Sequence, residues 1–213
     1  MASMTIEAAL ARCAEARAIP VIRTSTAAAA ETVVGWLKEA GLSIFEITMT
    51  VPDAPALIRS LASDPDLLVG AGTVPDRAAG EACLAAGAKF LVTPWVAPEL
   101  AEPCRQAGAA LMLGAVTPTE VRAARAAGAD VVKVFPASSV GGPGHLKALR
   151  SVFPGVKFCP TGGVDPSNMQ DYLEAGAAFV GMGGALVDEK RIKAGDKAAI
   201  QAVAHRLLGH AVA

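Results

Sequence analysis

Ala126-Ala127-Gly128-Ala129-Asp130-Val131-Val132-Lys133-Val134-Phe135-Pro136 carries the local pattern on which the fold turns. An alanine-rich stretch ends at Ala127-Gly128, where glycine can take φ > 0 and close a last helical turn. A short apolar run follows at 131–135. The same order of alanine-rich stretch, Ala-Gly and apolar run returns at Ala40-Gly41, Ala86-Gly87, Ala107-Gly108 and Ala175-Gly176. Pro75, Pro98, Pro118 and Pro166 stand where helices are expected to begin, because the missing N–H costs nothing there. The apolar runs are continuous rather than alternating, as parallel strands covered on both faces require.

Eight strands are predicted, over 19–24, 44–50, 67–73, 90–94, 110–116, 131–137, 157–163 and 179–186, after a helix over about 5–18. Strands that alternate with helices imply βαβ units with right-handed crossovers. Eight such units in 213 residues predict an α/β fold, a compact (β/α)₈ TIM barrel with a short N-terminal helix. No linker interrupts the chain, so residues 1–213 are expected to form a single domain. An open doubly wound sheet is the alternative. It usually has fewer strands and a Gly-x-Gly-x-x-Gly turn after the first, which this chain lacks.

Composition narrows the function. The chain is 53% hydrophobic with a formal net charge of −1, enough apolar matter for a substantial core and no basic excess to hold nucleic acid. Aromatic residues make up 4%, so platforms for stacking bases are scarce. Cys13, Cys83, Cys104 and Cys159 form no C-x-x-C pair and no zinc spacing, and read as packed thiols in a reducing compartment. His145, His205 and His210 lie far apart and read as surface or packing residues. The N-terminus shows no signal peptide and no run is long enough to span a membrane, so a cytoplasmic protein is expected.

In a TIM barrel the catalytic groups gather at the C-terminal ends of the strands. Lys133 stands within an apolar strand, where burial favours the neutral, nucleophilic amine. Snorkelling of its head to water is the competing reading. Glu46 is the matching isolated carboxylate, in Ile44-Phe45-Glu46-Ile47-Thr48. The two could form a purely structural buried ion pair, or a Schiff-base lysine with its acid/base partner. Arg23 follows the first strand and could bind a carboxylate or phosphate in a bidentate manner. Small residues in Val69-Gly70-Ala71-Gly72-Thr73 are expected to leave room in the lumen. Gly162-Gly163 and Gly183-Gly184 follow strands 7 and 8, where barrels commonly hold phosphate on backbone N–H groups. Tight turns are the plainer explanation of these glycines.

Glu46-Ile47-Thr48, Gly70-Ala71-Gly72-Thr73-Val74, Val92-Thr93-Pro94, Lys133-Val134-Phe135-Pro136 and Phe158-Cys159-Pro160-Thr161-Gly162-Gly163-Val164 occur in this order. Over about residues 5 to 210 the chain thereby resembles the bacterial 2-keto-3-deoxy-6-phosphogluconate (KDPG) aldolases, which include 4-hydroxy-2-oxoglutarate aldolases. The resemblance implies a homotrimeric class I aldolase, a carbon–carbon lyase of the Entner–Doudoroff route, acting on a phosphorylated keto-sugar acid and pyruvate without metal or organic cofactor. Lys133 matches the Schiff-base lysine and Glu46 the acid/base glutamate. Thr73, Pro94, Phe135 and Thr161 match pocket positions. Thr50 stands where many members carry arginine, and Arg23 matches the arginine that a subset places after the first strand instead. Gly184 stands where many members have serine, which shifts phosphate binding toward backbone amides. The galactonate-derived epimer and 4-hydroxy-2-oxoglutarate are the alternative substrates. A phosphosugar isomerase or epimerase, or a non-catalytic phosphosugar-binding barrel, are the more distant readings.

Overall fold

The computed structural model describes residues 4–211, without the side chains of His210 and Ala211. The reading of the first three residues and that of the His210 side chain therefore lie outside the described residues. Helix α1 (Ile6–Ala16) precedes β1 (Ala18–Ile22). The chain then runs α2 (Ala27–Glu39), β2 (Ile44–Thr48), α3 (Ala54–Ala62), β3 (Leu68–Gly72), α4 (Arg77–Ala85) and β4 (Phe90–Val92). It continues through α5 (Ala101–Ala107), β5 (Ala110–Gly114), α6 (Pro118–Ala126), β6 (Val131–Val134) and α7 (Gly142–Val152). The last part holds β7 (Phe158–Pro160), α8 (Met169–Glu174), β8 (Val180–Met182), α9 (Glu189–Lys193) and α10 (Lys197–Ala211).

All five Ala-Gly helix ends are realised. Gly41, Gly87, Gly108, Gly128 and Gly176 have φ between 64° and 107°. At the end of α2 the Gly41 N–H donates to the Lys38 carbonyl and the Leu42 N–H to the Leu37 carbonyl. The same two bonds close α4, α5, α6 and α8, so the chain reverses by one mechanism into β2, β4, β5, β6 and β8. The prolines behave less uniformly. Pro118 opens α6 behind a Thr117–Glu120 capping box, and Pro98 opens a short 3₁₀ turn before α5. Pro75 and Pro166 fall in loops instead. The first precedes Asp76, which caps α4 by accepting the Ala79 N–H at 2.8 Å.

Seven parallel pairings order the sheet β7-β6-β5-β4-β3-β2-β1-β8. A parallel bridge between Thr161 and Gly181 joins β7 to β8 and closes the barrel. The core divides by strand parity. Ile22, Phe45, Ile47, Val69, Leu91, Leu111, Val132 and Val134 face the helices. Ile19, Ile44, Leu68, Phe90, Met112, Val131 and Phe179 fill the lumen, and α1 seals its floor with Ala9, Leu10 and Cys13. The strand period of two then places Glu46, two residues beyond Ile44, and Lys133, two beyond Val131, on the lumen side of the wall.

Every strand ends before its predicted limit, by one residue in β3 and by two to four elsewhere. The residues that overrun belong to the loops above the strands. Among them are Arg23, Thr73, Pro94, Phe135 and Thr161, which border a cavity at that end of the barrel.

Candidate active site

The lumen holds two buried charges above its apolar filling. Lys133 in β6 and Glu46 in β2 are each 4% exposed, which excludes the snorkelling reading. Lys133 Nζ donates to Glu46 Oε1 at 3.3 Å across the barrel. Glu46 fits there because β3 presents Gly72 beside it, where a Cβ would overlap Oε1. The small residues of β3 therefore do not leave an empty lumen. The Glu46 carboxylate fills the space at Gly72 and the Phe90 ring fills the space at Gly70.

A cavity of about 540 Å³ opens above this pair, and Lys133 is part of its wall while Glu46 stands behind. The lysine thus has a partner on one side and a ligand-sized space on the other. A sealed ion pair serving only the fold would not present its amine to such a space. Phe135 leans over the amine, with Nζ 5.7 Å from its ring centroid. Thr161, Pro94 and Thr73 complete the lower wall. Thr73 holds a left-handed backbone at φ 53°, an unfavourable conformation for a β-branched residue. Its hydroxyl accepts from Arg23 Nη2 at 3.0 Å, which draws the guanidinium over the cavity.

Gly162, Gly163, Gly183 and Gly184 form the opposite wall. The first two have φ of 91° and 74°, so the turn reading holds for them. Gly183 and Gly184 have no positive φ, and turn strain does not explain them.

Of the residues singled out, Thr50 is not among those lining the cavity. Its hydroxyl lies 2.7 Å from that of Thr48, which in turn donates to the Ile22 carbonyl at 3.0 Å. Sequence reasoning left Val21, Val164, Asp165 and Ala185 without a role, yet all four border the cavity. Parity could have found Val21, two residues before Arg23 and paired in register with Glu46. Asp165 carried no comparable signal. Its carboxylate is held below the usual range by the Ser167 hydroxyl and then by backbone N–H groups. His145 Nε2 lies 2.7 Å from the Val116 carbonyl, and His205 is exposed. Among the described residues no group of His, Cys, Asp or Glu could hold a metal ion, and no helix is long and apolar enough to cross a membrane.

All four cysteines are buried free thiols. Burial pushes Cys13, Cys104 and Cys159 up to about 12 and Cys83 up to about 11. For Cys159, opposite Lys133 in the β6–β7 register, burial outweighs the opposing field of the lysine. Unfolded thiols ionise near 8.5. Above that pH the unfolded chain sheds protons that the fold retains, so stability is full below about 8.5 and falls as pH rises. The expected slope is about 1.4 kcal/mol per pH unit for each thiol. Urea midpoints measured between pH 8 and 10 should therefore fall steeply, and a Cys13→Ala/Cys104→Ala variant should lose about half of that dependence. An unchanged slope in the variant would count against thiol ionisation as the cause.

Fold and cavity together define a class, a (β/α)₈ barrel with a buried lysine–glutamate pair at the floor of a cavity on the C-terminal side of its strands. Residues 9–203 match the aldolase family described as KDPG and KHG aldolase, and the chain belongs to that family. It is 39% identical over 162 residues to the 2-dehydro-3-deoxy-phosphogluconate aldolase of Pseudomonas aeruginosa, covering 76% of this chain and 74% of the relative. It is 37% identical to a probable 2-dehydro-3-deoxy-6-phosphogalactonate aldolase of Rhizobium meliloti, covering 79% of this chain and 80% of the relative. A solved KDPG aldolase from Legionella pneumophila, with pyruvate captured as a covalent carbinolamine, superposes with a TM-score of 0.82 at 32% identity, covering 94% and 96% of the two chains.

Proposed function

We propose that this protein is a class I aldolase that reversibly cleaves 2-keto-3-deoxy-6-phosphogluconate to pyruvate and glyceraldehyde 3-phosphate. The observation that carries this reading is the Lys133–Glu46 contact of 3.3 Å, with the lysine and not the glutamate in the wall of the cavity above it. The Lys133 amine attacks C2 of the keto acid. Glu46, already hydrogen-bonded to Nζ, takes up and returns the protons of carbinolamine formation and dehydration. The resulting iminium is the electron sink for cleavage. The C4 hydroxyl loses its proton to Glu46, directly or through a water, and the C3–C4 pair moves into the enamine. The aldehyde leaves, the enamine is protonated at C3, and hydrolysis releases pyruvate and the free lysine. The iminium supplies the electrophile that a metal would otherwise provide.

Borohydride added with pyruvate should place a pyruvate-derived mass on the peptide holding Lys133. An adduct on another lysine, or none under turnover conditions, would remove the basis of the proposal. The same measurement separates this reading from an isomerase or a binding barrel, neither of which forms a covalent adduct.

Arg23 is assigned to the keto-acid carboxylate, because Thr73 holds its guanidinium over the cavity. A charge-assisted pair of this kind contributes about 1.5–3 kcal/mol. Arg23→Ala should therefore lower kcat/KM by about one to two decades, for unphosphorylated substrates as much as for KDPG. Loss confined to the phosphorylated substrate would reassign Arg23 to the phosphate.

The galactonate-derived epimer is a second reading, favoured by the 37% identity to the Rhizobium relative. Parallel kinetics on the two epimers and on 4-hydroxy-2-oxoglutarate decide between them. The proposal takes the chain as one barrel domain, assembled as a homotrimer in the cytoplasm. The family resemblance supports the assembly, and the four free buried thiols, as expected of a reducing compartment, support the location.

A further inference from the structure

The far end of the proposed substrate meets no free cation inside the reaction cavity. The charged residues of its wall are Arg23, Lys133 and Asp165. Lys133 is matched by Glu46, and Arg23 is occupied by the keto-acid carboxylate in the reading above. A phosphate monoester carries about 1.5 to 2 negative charges at neutral pH. Placed on the amides of Gly162, Gly163, Gly183 and Gly184, it would have the Asp165 carboxylate as its charged neighbour on that wall. Asp165 stays ionised, since the Ser167 hydroxyl and N–H both donate to it. Backbone amides orient a phosphate, and a guanidinium within reach would offset the neighbouring carboxylate.

A second cavity of about 540 Å³ adjoins the first and shares Asp165, Gly184 and Ala185 with it. Its charged residues are Asp165, Asp188, Arg191 and Arg206. Arg191 Nε stands a loose 3.7 Å from Asp188, whose other oxygen already accepts the first N–H groups of α9. Arg206, on α10, makes no ion pair or side-chain hydrogen bond among the described residues, so its charge is available to the cavity. Gly184 belongs to the wall of both spaces. Its φ is not positive, and a Cβ there would meet nothing within 4 Å. Neither backbone nor packing requires a glycine at this position. Its bareness leaves the way open between the glycine wall and the two guanidinium groups.

We propose that the second cavity is an anion subsite through which Arg206 and Arg191 recognise the phosphate end of the substrate. The subsite rests on the aldolase reading and adds to it a source of specificity. Discrimination between phosphorylated and unphosphorylated sugar acids then depends on these two side chains as well as on backbone amides. Arginine suits the task, since its planar donors match phosphate oxygens.

The test compares kcat/KM for KDPG and for 2-keto-3-deoxygluconate, which has the same carbon chain without phosphate. Arg206→Gln should lower the value for KDPG by about fivefold, the scale of a partly exposed charge contact. The Arg191→Gln/Arg206→Gln double variant should lower it by about tenfold or more, with a change of less than about twofold for the unphosphorylated substrate. Lys193→Gln removes the same charge from α9 outside either cavity and should alter neither value. Raising the ionic strength toward about 1 M, where the screening length is about 3 Å, should erode the phosphate preference of the parent protein more than that of the double variant. Equal losses on both substrates, or no loss on KDPG, would overturn the subsite. Borohydride trapping of pyruvate is run on every variant. A parent protein that traps none would overturn the aldolase reading itself, and the subsite with it.

Discussion

Lys133→Arg should abolish turnover while leaving the barrel folded. Guanidinium is permanently protonated and has no amine lone pair to offer a ketone, so no imine can form. Losses on removing a covalent nucleophile run to about 10⁴–10⁶-fold, and the same scale is expected here. The charge facing Glu46 is preserved, and the cavity above Lys133 can take the larger head group. Lys133→Ala gives the contrasting result. It leaves Glu46 buried without its cation, and breaking a buried pair from one side costs about 3–5 kcal/mol. The arginine variant should therefore melt near the parent and the alanine variant well below it, with both inactive and neither trapping pyruvate. Retained cleavage in Lys133→Arg would show that the reaction does not pass through this residue.

The second large effect is expected at Glu46. Glu46→Gln keeps the side-chain shape and an oxygen that can accept from Lys133 Nζ, but it removes the group that exchanges protons. General acid/base groups contribute about 10²–10⁴-fold, and kcat should fall within that span. KM should change far less, because Glu46 stands behind Lys133 and not in the cavity wall. The intermediate that needs proton transfer to proceed should accumulate. Single-turnover borohydride trapping should then show the Lys133 adduct forming more slowly than in the parent, since Glu46 also serves carbinolamine dehydration, with product release lagging further behind. A variant with near-parent kcat would pass the proton relay to water or to another group, and the 3.3 Å contact would be left as a structural pair.

Part of this site is legible in the sequence. Lys133 and Glu46 stood out as single charges in apolar strands, because leaving either unpaired in a core would be costly. Their parity with Val131 and Ile44 placed both on the lumen side once a barrel was assumed. Arg23, Thr73, Pro94, Phe135 and Thr161 follow strand ends, and all five line the cavity. Thr50 follows a strand end equally well, but its hydroxyl sits beside that of Thr48 instead. A position relative to a strand is a local property. The direction of a loop above the strand depends on what packs against it, and no neighbouring residue in the sequence records that.

The sequence by itself determined the order of elements and how each helix ends. The two-bond closures at Gly41, Gly87, Gly108, Gly128 and Gly176 involve residues at most five apart, so the information is local. The alternation of units and the apolar runs then led to a barrel, and the isolated charges to its chemistry. Only the tertiary structure brought residues 46 and 133, 87 apart in sequence, to 3.3 Å, and let Gly72 of a third strand make room for the carboxylate. The same closure set Arg191 and Arg206, from the last two helices, around a space that opens past Gly184. Such distances depend on the register of every strand around the ring at once, from the β1–β2 pairing to the Thr161–Gly181 bridge. They are a property of the closed barrel, which no single stretch of the chain contains.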